Sequence, residues 1–256
     1  MSFIAPQSSS LFGVRIDAAR AVDAAAVVAN AAAERRGGIV CVANVDMLTR
    51  AVRDPALKQV MQQARHVVTD GMPLVWVLRS LQGFKWASRV YGPQLMHDVC
   101  RQAAQQNLNI FLYGGSAEEL QALRAQLLQD LPELKVVGAV SPPMLPTHPP
   151  YDAEIVSTIR ESGAHLVFVG LGCPKQEFWM GQHAPYLSAV CVGVGLAFAQ
   201  LAGLKARAPA WMQKSGMEWL FRLVQEPRRL WRRYLVGNSL FIWYLLKHMV
   251  RQAIGG

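Results

Sequence analysis

Three short stretches of this 256-residue sequence set polar or charged side chains close to glycine, the residue that lets a ligand come close to the backbone, and a fourth ends an apolar run on an asparagine. In VVTDGMPLVW (67–76) a carboxylate, Asp70, follows an apolar run and precedes a glycine. A carboxylate so placed and partly withdrawn from water can act as a general base toward a hydroxyl. The same residue also suits the cap of a helix starting near Met72, with Pro73 in the first turn, where its missing N–H costs little. In GLGCPKQEFW (170–179), Lys175, Gln176 and Glu177 follow two glycines and a proline. That set can offer backbone N–H groups, a cation and an amide to a sugar or diphosphate. A tight turn with Glu177 as a first-turn helix charge is the plainer alternative. YGGS (113–116), with Gly114 and Gly115, reads as a turn into a helix N-terminus, a common place for phosphate. Asn44, in VANVD, suits either a turn or a hydrogen bond to a ligand.

Other chemistries find little support. No GxGxxG or GxxxxGK[ST] is present, which leaves a nucleotide-binding oxidoreductase as a weak alternative. The six histidines show neither HxH nor HExxH spacing and no DxD pair occurs, so no metal site and no cofactor are expected. A GxSxG elbow is also missing. The four cysteines lie far apart without a CxxC pair, which points to reduced thiols in a cytoplasm. The first twenty residues lack the basic start and continuous apolar run of a secretory signal, so export is not expected.

The elements that must position these residues alternate. Apolar or β-branched runs at 38–44, 66–70, 109–115, 135–140, 165–172 and 189–195 predict buried parallel strands. Helical spacing predicts helices over 17–35, 54–65, 72–82, 93–106, 116–130, 152–162 and 175–183. The fold class is therefore α/β, an open, mostly parallel, Rossmann-like sheet with helices on both faces. Ligands on such sheets bind beyond the carboxyl ends of the strands, where Asn44, Asp70, Gly114, Gly115 and the 170–177 segment fall. The five prolines of 141–151 predict a surface loop.

Residues 1–205 form the expected core and 206–256 a separate appendage. Of the net charge of +9, residues 205–256 carry +8, with ten basic residues against two acidic ones. Arg207, Arg222, Arg228, Arg229, Arg232 and Arg233 stand among tryptophans, tyrosines and leucines, on segments expected to break at Pro227 and Gly237. The longest nearly uncharged run, 234–246, is 13 residues, short of the ~20 that a membrane span needs. Basic, aromatic, amphipathic helices lying on an anionic membrane surface fit better. A basic nucleic-acid-binding tail is the competing explanation.

AN-V-D-M-L near 43–48, A-R-H-V-V-T-D-G-M-P-L-V-W, R-V-Y-G at 89–92, L-Y-G-G-S at 112–116, G-L-G-C-P-K-Q-E, G-V-G at 193–195, R-A-P at 207–209 and M-E-W-L-F-R-L-V-Q-E-P-R-R at 217–229 together resemble the WecG/TagA/CpsF family, glycosyltransferase family 26. The resemblance implies a bacterial enzyme at the cytoplasmic face of the inner membrane, with a Rossmann-like core and a membrane-meeting C-terminal appendage. It would move a sugar from a UDP-sugar to an undecaprenyl-diphosphate-linked acceptor, with inversion and without metal, and without nucleic acid as a partner. It also implies Asp70 as catalytic base, Asn44 and Gln176 as pocket residues, Arg89 as a diphosphate contact, and Arg222, Arg228 and Arg229 as phosphate-binding tail residues. Many members carry Thr two residues before the pocket Asn, whereas this chain has Val42. The sugar is expected to be a hexose such as glucose, in exopolysaccharide assembly, or of the N-acetylmannosamine type. A homo-oligomer is left open.

Overall fold

The chain enters its sheet through a hairpin, β1 (Gln7–Leu11) and β2 (Val14–Ala18), paired antiparallel around a turn in which Phe12 and Gly13 have φ of 57° and 74°. The helical spacing from residue 17 misleads here. Residues 17 and 18 finish β2, and α1 spans Ala21–Ala33. The alternation of Val14, Ile16 and Ala18 with Arg15 and Asp17 spans only five residues before the alanine-rich helix, and it includes a buried carboxylate, that of Asp17. Its carboxylate accepts bonds from Arg15 Nε at 3.1 Å and from the Val67 N–H at 2.9 Å, tying β2 to its neighbour.

Beyond the hairpin, strands and helices alternate as the periodicity predicts. β3 (Gly38–Ala43) leads to α2 (Val45–Ala51) and α3 (Pro55–Gln63), then β4 (His66–Thr69) to α4 (Met72–Ser80) and α5 (Gly92–Gln105). β5 (Asn109–Gly114), α6 (Ala117–Asp130), β6 (Lys135–Val140), α7 (Ala153–Glu161), β7 (Leu166–Gly170), α8 (Lys175–His183), β8 (Val190–Gly193) and α9 (Ala197–Leu201) complete the core. The order across the sheet is β1-β2-β4-β3-β8-β7-β5-β6, parallel throughout except for β1. The structure, a computed structural model, describes residues 3–254 apart from the side chains of residues 210, 214, 229, 233 and 251–254.

Two apolar layers sandwich the sheet. Residues of α1, α5, α6 and α9 pack on one face, and residues of α3, α4, α7 and α8 on the other. Adjacent strand residues divide between them: Val40 and Val42 join the first layer, Cys41 and Ala43 the second. All four cysteines are free thiols, three of them buried. The 141–151 segment has no regular structure, as its prolines predict.

The appendage consists of α10 (Ala210–Lys214), α11 (Glu218–Gln225) and α12 (Pro227–Ile254). The expected breaks at Pro227 and Gly237 are corrected in different ways. Pro227 begins α12, where proline is preorganised and its missing N–H is harmless, and Gly237 lies inside an unbroken helix. Tertiary packing overrides the helix-weakening tendency of glycine. α12 packs along α2, and its Phe241 is buried edge-on against Phe12, ring centroids 5.8 Å apart. Among the described residues no helix is long and apolar enough to cross a membrane.

The long loop before α7 is pinned by His183. Its Nε2 accepts the Asp152 N–H at 3.0 Å, so Nδ1 carries the proton and donates to the Trp179 carbonyl at 2.7 Å. Burial disfavours the cation and lowers the His183 pKa below the ordinary histidine value, and the same holds for His165. The unfolded chain therefore takes up these protons more readily, and stability held above about pH 6.5 is lost as pH falls below it. Denaturant unfolding should show a midpoint that drops between pH 7.5 and 5.5. His183→Gln should unfold earlier at pH 7.5, by about 1–2 kcal/mol, but vary less across that interval.

Candidate active site

The site forms where β3 and β4 end side by side. Asn44, just past β3, caps α2 by accepting the Met47 N–H at 3.1 Å. Asp70, just past β4, donates its own N–H to the Ala43 carbonyl at 2.7 Å and so extends the strand pairing by one residue. The chain then turns at Gly71, whose φ of 130° is open to glycine and rarely to other residues. Gly71 occupies the cap position of α4, and no side chain caps that helix. The capping role open to Asp70 in the sequence is thus not the one it takes.

Instead, Asp70 Oδ1 accepts from Arg89 Nε at 2.8 Å, and Oδ2 accepts the N–H of Gly92, the first residue of α5, at 3.4 Å. Arg89 lies on a segment held along β4 by the Val90 N–H to Thr69 carbonyl bond. Its Nη2 donates to Glu218 Oε2 of α11 at 2.6 Å, and its guanidinium stacks 4.5 Å from the centre of the Tyr91 ring. Burial alone would favour loss of the Arg89 proton, but Asp70 and Glu218 outweigh it and raise its pKa above the usual value. Tyr91 is pushed up to about 12 by burial, with the two carboxylates adding to the effect. Its hydroxyl donates to Gln200 Oε1 at 3.0 Å.

Above this ion-paired floor lies a cavity of about 430 Å³. Asn44, Asp46, Asp70, Arg89, Glu218, Arg222, Tyr234 and Asn238 supply its polar lining. Trp76 of α4 and Trp219 of α11 form apolar walls, and Phe241, Ile242 and Leu245 close it from α12. The appendage is therefore a wall of the site. A cavity with a charged floor and aromatic and aliphatic walls suits an amphipathic ligand.

A model of the Glycosyl transferase WecG/TagA/CpsF family matches residues 9–254. The chain belongs to this family. Over 216 residues it is 28% identical to the N-acetylglucosaminyldiphosphoundecaprenol N-acetyl-beta-D-mannosaminyltransferase of Bacillus spizizenii, with 84% of this chain and 81% of the relative covered. The protein is thus a glycosyltransferase, and the oxidoreductase and nucleic-acid-binding alternatives give way to that assignment.

Of the residues singled out in this glycosyltransferase, Asn44, Asp70, Arg89 and Arg222 meet at the cavity. Gly114, Gly115, Lys175, Gln176, Glu177, Arg207 and Arg228 fall outside its lining. Gly114 lets the ends of β5 and β7 close together, since a Cβ there would stand 2.8 Å from the Gly170 carbonyl carbon. Gly115 has a φ of 74°, and its carbonyl accepts from Ser141. Gln176 is buried, accepting the Gly172 N–H at 3.1 Å and donating to Glu177 at 2.8 Å, so it braces the turn between β7 and α8. Lys175 lies 3.9 Å from the Met144 sulfur. Arg207 is exposed, with a 3.5 Å contact to the Gln200 carbonyl, and Arg228 is exposed in the first turn of α12. The Arg229 side chain lies outside the described residues. Val42, in place of the threonine, lies beside Gly92, on which Asp70 also borders: a Cβ at Gly92 would be 3.9 Å from Val42 Cγ1 and 3.8 Å from Asp70 Oδ2.

Sequence reasoning passed over Asp46, Tyr91, Trp76 and Glu218. Tyr91 and Glu218 stood inside quoted family segments, R-V-Y-G and M-E-W-L-F-R, but nothing local marked them as site residues. Gly237 was noticed only as a helix breaker. It is buried, lines the cavity, and a Cβ there would meet nothing within 4 Å. Gly237→Ala should raise stability by up to about 1 kcal/mol through helix propensity. Gly237→Phe should project into the cavity and cut sugar transfer by at least about tenfold, with the fold retained by circular dichroism.

Proposed function

We propose that this glycosyltransferase moves a sugar from a UDP-sugar to a polyprenyl-diphosphate-linked saccharide, with inversion and with Asp70 as general base. One observation carries this reading. The Asp70 carboxylate lines a ligand-sized cavity, anchored by Arg89 and the Gly92 N–H through two of its roughly four lone-pair positions. As the acceptor hydroxyl attacks the anomeric carbon, its proton passes to Asp70. The new C–O bond forms on the face opposite the departing diphosphate, and the electron pair of the breaking bond leaves on the phosphate oxygen. General-base help of this kind is worth ~10² to 10⁴-fold.

The glycine-rich turns after β5, β7 and β8, with Lys175 and with the turn that Gln176 braces, are the proposed seat of the donor diphosphate. Backbone N–H groups and the N-termini of α6 and α8 favour negative charge there. Arg222 at the cavity, with Arg207, Arg228 and Arg229 nearby in sequence, would oppose phosphate charge in place of a metal ion. The relative's own name makes UDP-N-acetylmannosamine the first donor to test, and UDP-glucose the second.

The outward face of the appendage supports peripheral docking on an anionic membrane, which would be the inner leaflet of the bacterial membrane. Trp231, Leu235, Trp243, Leu246 and Val250 of α12 are exposed, interspersed with exposed Arg228, Arg232 and Lys247. Arg232 and Lys247 stack on Trp231 and Trp243, at 5.2 and 5.0 Å from the ring centres. Each basic residue near such a surface adds about 1 kcal/mol, screened by salt.

Asp70→Asn should lower turnover by at least about 10²-fold on a short-chain lipid-diphosphate acceptor while UDP-sugar binding persists. Turnover near the wild-type rate would remove Asp70 as the base. The protein should also float with vesicles containing anionic lipid, and less so with rising salt or with zwitterionic vesicles. Equal flotation with both vesicle types would remove the electrostatic part of docking.

A further inference from the structure

The residue that governs how Arg89 meets Asp70 comes from the appendage. Glu218 opens α11, directly after a turn in which Gly216 has a φ of 76°. A Cβ at Gly216 would stand 3.0 Å from Met72 Cβ and 3.5 Å from the Trp76 ring, so the turn seats closely on α4. This close fit delivers the Glu218 carboxylate, itself buried, to Arg89 Nη2 at 2.6 Å.

The donor atoms used are informative. A guanidinium binds a single carboxylate most tightly side-on, with two parallel N–H groups on its two oxygens. On the side where Arg89 meets Asp70, those donors would be Nε and Nη2. Glu218 takes one of the two N–H groups of Nη2, and Asp70 receives a single bond from the guanidinium, from Nε to Oδ1. Its other oxygen, Oδ2, has the longer 3.4 Å contact with the Gly92 N–H.

We infer that Glu218 is a positioning residue that stops Arg89 from closing a bidentate clamp on Asp70 and so keeps Oδ2 open to the acceptor hydroxyl. This rests on the proposed role of Asp70 as base. Glu218 acts through Arg89 and touches no reacting atom. What Arg89 Nη2 requires is an acceptor oxygen of the right reach. A glutamine amide supplies one and an aliphatic side chain does not. The other charged or titratable groups at this cavity are Asp46, Arg222 and Tyr234, with Tyr91 stacked on Arg89, and all remain in place in the variants below.

The test compares kcat and acceptor KM for Glu218→Leu and Glu218→Gln in the full chain, with Asp70→Asn beside them. Glu218→Leu should lose about 10²-fold in kcat with acceptor KM within about threefold of wild type. Glu218→Gln should recover kcat to within about tenfold of wild type. On an Arg89→Lys background, where no side-on clamp can form, Glu218→Leu should change kcat by less than about threefold. Wild-type kcat in Glu218→Leu, an equal loss in the leucine and glutamine variants, or an undiminished loss on the lysine background would each overturn the inference. So would a rise in acceptor KM with kcat intact, which would make Glu218 an acceptor contact. Glu218→Met replaces the leucine variant if thermal unfolding shows the latter does not fold. Active Asp70→Asn would defeat the proposed function itself. Inactive Asp70→Asn with fully active Glu218→Leu would defeat this inference alone.

Discussion

A half-buried guanidinium shared by two carboxylates holds this site together. Arg89 faces Asp70 at the end of β4 and Glu218 at the start of α11, three residues brought from distant parts of the chain. Charges withdrawn from water are tolerated when paired and hydrogen-bonded, and removing one partner of such a set is costly. The ion-paired line therefore fixes two things together, the carboxylate at the floor of the cavity and the seat of the appendage on the core. The Tyr91 ring under the guanidinium, itself anchored to Gln200, removes the remaining freedom of the arginine plane.

The rest of the site follows from that seat. With α11 docked on α4 through Gly216, and Phe241 of α12 buried against Phe12 of the opening hairpin, the last helix is left standing over the carboxyl ends of β3 and β4. The space beneath it is amphipathic because one side is the polar rim of a parallel sheet and the other is the inner stripe of a helix. Gly237 keeps that stripe from filling the gap. The outer stripe of the same helix carries exposed aromatic and aliphatic side chains among basic ones. One element thus presents one face to the cavity and another, chemically distinct, to whatever lies outside. Such a cavity suits an amphipathic ligand.

The core strands were legible because a strand buried on both faces is a short, nearly continuous apolar run; five of the six such runs are buried in this way, while the run at 135–140, expected to be buried, forms the edge strand β6 with alternate residues exposed. The loops that matter were legible for a related reason: a polar residue or glycine that interrupts such a run must fall at a strand end. The hairpin β1–β2 escaped because its strands are five residues each, β1 is mostly polar, and β2 runs into the alanine-rich start of α1; Arg15, His66 and the Val67 N–H make the burial of Asp17 tolerable. The continuity of α12 escaped because a proline and a glycine weaken an isolated helix, while packing on α2 and Phe12 stabilises this one.

By itself, the sequence determined the α/β class, the strand ends where ligands gather, the concentration of positive charge in the tail, and the prominence of Asp70, since each of these is a matter of local pattern or composition. It left Asp70 open between helix cap and base, because the two uses share one local signature. Only the tertiary structure decided between a cap and a cavity carboxylate, by giving the cap position to Gly71 and bringing in Arg89. It alone brought Glu218 to that arginine and made α12 a wall of the cavity. These are contacts between residues more than a hundred positions apart, set by the packing of whole elements, and no local spacing encodes them.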